Sequence, residues 1–111
     1  MDQQKPLVKN ASNRGQVNKA TDTKKLERYN EMQDLRKILG TIEGRRFVWR
    51  LLSECKVFGS IWHPSAQIHY NAGKQDFGHF ILAEVGEASQ DYLFKMMLEN
   101  KNKEERENNV N

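Results

Sequence analysis

Residues 43–55 read EGRRFVWRLLSEC, three arginines and a tryptophan inside a run that otherwise resembles the inner face of a helix. Phe47, Val48, Leu51, Leu52 and Cys55 fall at i, i+1, i+4, i+5 and i+8, a broad apolar face at helical spacing. Arg46, Arg50 and Ser53 cluster away from it. Arg45 and Trp49 are i, i+4 neighbours on its flank, placed so that the guanidinium could stack on the indole. Thr41 stands at the N-cap position, and Glu43 follows in the first turn, where the helix dipole favours a carboxylate. The pattern predicts a helix over 42–55 with a greasy side turned inward and arginines turned out.

The same spacing extends in both directions. Leu26, Tyr29, Met32 or Gln33, Leu35, Ile38 and Leu39 recur every three or four residues and predict a helix over 24–39. Asp22 or Thr23 can cap its start, and Gly40 occupies the place of a left-handed C-cap. After Cys55 the pattern breaks at Gly59 and Pro64; Phe58, Ile61 and Trp62 either fold back over the helices or form a contact patch. Ser65 opens a third helix, 65–85, closed by Gly86. Ala66, Tyr70, Gly73, Phe77, Phe80, Ile81 and Glu84 step along its expected inner side, with Ile68, Leu82 and Val85 adding to it, and Gly73 and Gly78 suggest close helix–helix approach or a break near Gly73–Lys74. A fourth helix, 88–99, begins at Ala88 or Ser89 and lines up Tyr92, Leu93, Met96 and Met97. No alternation of period two and no internal repeat occurs. The expectation is an all-α fold, a small bundle of about four helices around an aromatic-rich core.

Both ends read differently. Residues 1–22 carry only Leu7, Val8 and Val17 as aliphatic residues larger than alanine, too little apolar surface to offset the entropy of ordering. Residues 101–111 are similarly polar. The expected organisation is a disordered basic N-terminal tail over 1–23, a helical domain over 24–100 and a disordered polar C-terminal tail over 101–111. A domain of this size buries only about 60% of its unfolded surface, so a partner or an oligomer would help complete it.

Charge is unevenly distributed. Residues 1–25 hold six basic side chains against two acidic, residues 26–58 seven against five, and residues 59–100 two against five. A basic half followed by an acidic half can attract nucleic acid at one end or pair subunits head to tail. The lone Cys55 permits no internal disulfide and suits a reducing compartment. No apolar run approaches the roughly 20 residues of a membrane span, and no signal peptide opens the chain. A soluble protein made in a cytoplasm is expected.

EGRRFVWRLLSECKVF at 43–58, then YNAGKQDFGHFILAEV at 70–85 and DYLFKMMLEN at 91–100, resembles a family of small tailed-bacteriophage proteins typified by a Bordetella phage protein and known as a phage domain of unknown function. The likeness covers about residues 34–100. The family pattern carries a glycine where this chain has Lys56, and paired arginines where it has Lys74 and Gln75. The resemblance implies a small virion-associated or assembly protein, present in the host cytoplasm during infection and then in the virion. It implies no known activity.

Arg45, Arg46 and Arg50, with Lys56 beyond them, form the leading candidate binding surface, because guanidinium forks suit carboxylates and phosphates alike. Trp62, between Gly59 and Pro64, is the aromatic most suited to an interface. Phe47 and Trp49 are expected to pack. Lys5, Lys9, Arg14, Lys19, Lys24, Lys25 and Lys74 are candidate nucleic-acid contacts, though spaced more thinly than in a usual basic arm. His63, His69 and His79 match no zinc spacing, and Cys55 reads as a small buried hydrophobe. No catalytic residue, metal or cofactor is assigned. The leading expectation is a non-enzymatic phage protein that docks on portal, capsid or tail components through its arginine-rich helix, its tails ordering on assembly. A second copy of the chain and weakly, non-specifically bound nucleic acid are further candidate partners; a membrane is not. The alternatives are a nucleic-acid-binding accessory protein for genome packaging or organisation, and an inhibitor of a host enzyme or defence system.

Overall fold

The tightest corner of the chain lies at residues 38–44. Thr41 is extended (φ −107°, ψ 148°), and its hydroxyl accepts a hydrogen bond from the Gly44 amide at 3.0 Å, the expected N-cap. A Cβ on Gly44 would stand 1.7 Å from the Ile38 carbonyl oxygen, so only glycine fits there. Gly40 does not adopt the left-handed conformation expected of it; no described glycine has a positive φ.

A computed structural model describes the backbone of residues 4–110 and the side chains of residues 14–109. The order is α1 (Gln4–Leu39), α2 (Ile42–Glu54), α3 (Gln67–Ala88) and α4 (Gln90–Val110), and no strand occurs among the described residues. The all-α architecture of four helices is therefore as expected. The chain divides into two compact units, Met1–Glu31 and Met32–Asn111.

In the first unit the chain is helical well before residue 24, where helix was expected to start. From residue 14 to residue 27 every side chain is exposed, and Thr21 and Thr23 donate back to the carbonyls of Val17 and Lys19. Arg28 and Glu31 pair at 3.3 Å. The composition correctly signalled that this segment buries no core. It did not exclude helix, which needs only local backbone hydrogen bonds. The far end behaves alike: α4 continues to Val110 although residues 101–109 are exposed, with Lys101 and Lys103 each four residues before a glutamate. Neither expected tail lacks secondary structure where it is described.

In the second unit α2, α3 and α4 pack pairwise, and the last turns of α1 close the core. That core is aliphatic: Met32, Leu39, Val48, Leu52, Val85, Ala88 and Met96 are buried, with Leu35, Trp49, Val57, Ile81, Leu82, Tyr92 and Leu93 around them. It is not aromatic-rich. Phe47, Phe58, Tyr70, Phe77 and Phe80 are each about half exposed or more. The largest departure is on α3, where the face holding Asn71, Gly78, Val85 and Ala88 turns inward; of the side expected inside, Val85 is buried and Ile81 and Leu82 pack on the core, but Tyr70, Phe77 and Phe80 lie outside. Gly78 explains this. A Cβ there would meet Val57 and Cys55 at 2.4 and 2.5 Å, so α3 closes on the end of α2 only along its glycine. Gly73, the other expected close approach, has nothing within 4 Å. Helix α3 runs through Gly86 and ends at Ser89, which is extended and whose hydroxyl accepts the Tyr92 amide at 3.1 Å to start α4.

Helix α2 ends in a Schellman motif. The Lys56 amide donates to Ser53 and the Val57 amide to Leu52, at 3.0 and 3.2 Å. Lys56 supplies the left-handed residue, with φ of 56°, the one non-glycine so placed among the described residues.

Two predictions follow from this architecture. Lys56→Gly removes a left-handed side-chain penalty at an exposed site and should stabilise the protein by about 0.5–1 kcal/mol, net of glycine's own entropy cost, in a urea titration. In native-state hydrogen exchange, amides 14–25 should exchange almost as in a free peptide while those near Val48, Leu52, Val85 and Met96 are protected to the global limit. Equal protection in both regions would show that residues 14–25 are held by more than their own backbone.

Candidate docking surface

Of the arginines in the opening stretch, Arg45 faces inward. It lies three residues before Val48 and seven before Leu52, on the buried stripe itself, and is 5% exposed. Its Nε and Nη2 donate to the two carboxylate oxygens of Glu99 on α4 at 2.8 and 3.0 Å, and its Nη1 donates to the Leu39 carbonyl at 2.8 Å. A single guanidinium thus ties α2 to α4 and caps the C-terminus of α1. The expectation that Arg45 is an outward contact residue is corrected: at that angle around α2 the only solution is a charge with its counter-charge. Nor does it stack on Trp49, whose partner is Phe58, with ring centroids 5.0 Å apart. The hydrogen bond from Arg45 holds the Glu99 carboxyl below its ordinary range, with burial opposing, and the same bond raises Arg45.

Arg46 and Arg50 are exposed, as expected. Phe47, expected to pack, is 49% exposed and lies beneath Arg50, whose guanidinium carbon is 5.4 Å from the ring centroid. Arg46, Arg50 and Lys56 share one open groove with the Trp49–Phe58 pair, and the exposed end of α4 forms its other wall, including Met97 and Glu104. Basic side chains, a stacked aromatic pair and a mixed-charge wall therefore meet along one side of the second unit.

Trp62 lies outside this groove and is 71% exposed. Its loop is nevertheless held in place. Gln75 Nε2 donates to the carbonyls of Lys56 at 2.7 Å and Gly59 at 3.3 Å, and Asn71 Nδ2, on a residue only 4% exposed, donates to the Ile61 carbonyl at 3.1 Å. Gln67 in turn donates to Asn71 Oδ1. The loop's carbonyls are thus bound by two amides one turn apart on α3. Downstream, the Ser65 hydroxyl lies 2.8 Å from His63 Nδ1 and accepts the Gln67 amide at 3.2 Å.

Lys5 and Lys9 lie outside the residues whose side chains are described. In the first unit, Arg14, Lys19 and Lys24 follow one another at five-residue steps, about 140° apart around an α-helix, and Lys25, eleven residues after Arg14, alone returns to the side of Arg14, about three turns away. Lys74, on α3, sits over the Tyr70 ring at 5.7 Å. Cys55 is buried, as expected of a small hydrophobe. Among the described residues no group of three His, Cys, Asp or Glu side chains is placed to hold a metal ion, and no helix is long and apolar enough to cross a membrane.

Sequence reasoning did not find Asn71, Gln75, Glu99 or Arg36, whose Nε donates to the Ala88 carbonyl at the end of α3. The signal for Arg45 was present in its spacing from Val48 and Leu52. The others depend on where loops and helix ends arrive.

Because the folded state depresses the Glu99 pKa, its pairing contributes stability above the ordinary carboxylate range and loses it as pH falls through the lowered value. Glu99→Gln should cost about 1–2 kcal/mol at pH 7 and markedly less near pH 3, measured by urea unfolding at both; an equal cost at both would separate Glu99 from the acid limb. No family model, no curated protein and no solved structure matches this chain.

Proposed function

We propose that this is a non-catalytic docking protein that presents a fixed tryptophan and an arginine-lined groove to a larger protein partner. The observation that carries the reading is the loop at Trp62: an indole 71% exposed on backbone bound by Asn71 and Gln75. An exposed tryptophan costs solvation, and one on bound backbone has already lost the backbone freedom that binding would otherwise take away. That combination suits an interface anchor. Arg46 and Arg50 flank the second part of the surface, with Phe47 beneath Arg50 adding apolar contact. Aromatics and arginines are the residue types that carry most interface energy.

The likeness of residues 34–100 to small tailed-phage proteins supplies the setting, in which the partner is a portal, capsid or tail component. In that setting the chain remains with purified particles at a fixed copy number, readable by quantitative mass spectrometry; absence from the particles removes the virion reading. Trp62→Ala should leave the far-UV spectrum and melting temperature unchanged and lower retention in particles at least tenfold, as should the pair Arg46→Glu and Arg50→Glu. Undiminished retention by both would mean that this surface is not the one that docks.

A further inference from the structure

Because α3 buries the face of Asn71, Gly78 and Val85, Tyr70, Phe77 and Phe80 are left 63%, 59% and 56% exposed. Phe77 and Phe80 stack with centroids 6.0 Å apart. At about 100° per residue, Tyr70, Gly73, Phe77, Phe80 and Glu84 fall within one sector roughly 80° wide. Gly73 opens a notch in it, with nothing within 4 Å of where its Cβ would be. An aromatic strip of this kind on so small a domain marks a contact surface.

We infer that its occupant is α3 of a second copy, lying antiparallel. The charges select that direction. Lys74 is in the N-terminal half of the helix, and Glu84 and Glu87 are in its last turns, where α3 has no basic residue. Glu84 and Glu87 have polar contacts of their own within the chain; what they bring to the pairing is the sign of that end. Parallel pairing would set these carboxylates against their own copies. Antiparallel pairing about the midpoint of Phe77 and Phe80 brings Lys74 of each copy within about 1.5 Å, along the axis, of Glu84 of the other. It also lays the electropositive half of each helix dipole beside the carboxylates at the far end of its mate. Phe77 of one copy then faces Phe80 of the other, and the Gly73 notch lets the axes approach. His69 and Asp76 lie just outside one edge of the sector, with Asp76 level along the axis with Ile81 of the mate but on the opposite flank.

The strip sets the strength. Each of these rings can hide on the order of 100 Å² more, so two copies bury roughly 600 Å² of aromatic surface, about half of the ~1,200 Å² at which stable interfaces begin. An interface of that size belongs with the weak, transient ones. The inference stands apart from the docking reading, since Arg46, Arg50 and Trp62 are not on α3.

Sedimentation equilibrium of the full chain from about 1 to about 500 µM tests it, a range in which weak, transient dimers become populated. The expected result is a monomer–dimer equilibrium. It should be abolished by Phe77→Asp and by the milder Phe80→Ser, retained in Phe94→Asp on α4, and weakened severalfold by Lys74→Glu at low salt, each variant first checked for native circular dichroism. A chain that stays monomeric throughout the range, an assembly larger than two, or a dimer that survives both Phe77→Asp and Phe80→Ser overturns it.

Discussion

The second unit depends on one buried guanidinium. Arg45 spends all three of its nitrogens on two obligations, the Glu99 carboxylate and the Leu39 carbonyl. A charge at that depth is tolerated only with a counter-charge and satisfied donors. Meeting those terms fixes three things together: the rotation of α2, the height of α4 and the corner at which α1 ends. Gly44 serves the same corner, since the carbonyl of Ile38 lies where its side chain would be. The aliphatic core around Leu39, Leu52 and Met96 supplies most of the burial. The arginine decides the register in which that burial occurs.

The orientation of α3 follows from a second constraint, close backbone approach. The helix offered two faces to the bundle, one rich in aromatic rings and one with a glycine between polar amides. The second went inside because Gly78 admits Cys55 and Val57, while Asn71 satisfies the part-buried Ile61 carbonyl and Gln75 holds the loop at Lys56. Aromatic mass left outside is the cost of that choice. It is also what equips the surface, as the same amides hold the Trp62 loop while the opposite face carries Tyr70, Phe77 and Phe80.

Much of this could be read from residue order. The helices around residues 24–39, 42–55 and 88–99 follow from periodicity, and the Thr41 cap from a hydroxyl three residues before Gly44. The outward placement of Arg46 and Arg50 follows from their angle relative to Val48 and Leu52. The same angular argument, applied strictly, would have put Arg45 inside. It was overridden by the habit of treating arginine as a surface residue, although a guanidinium is well able to enter a core when a carboxylate accompanies it. The α3 face was misjudged for a related reason: hydropathy weighs side chains and gives none to a glycine. The extent of α1 and α4 was underestimated because low apolar content measures the capacity to build a core, and helix makes no such demand.

Local chemistry alone settled the class of fold, the corner at Thr41 and that Arg46 and Arg50 would meet water, since each depends on residues within a turn or two. Tertiary structure alone decided that Glu99, 54 residues away, would accept Arg45, that the loop carbonyls would meet Asn71 and Gln75, and that the aromatic side of α3 would stay exposed. Those outcomes rest on distances between segments remote in the chain, set by the closest approach that glycine permits and by the need of buried polar groups for partners.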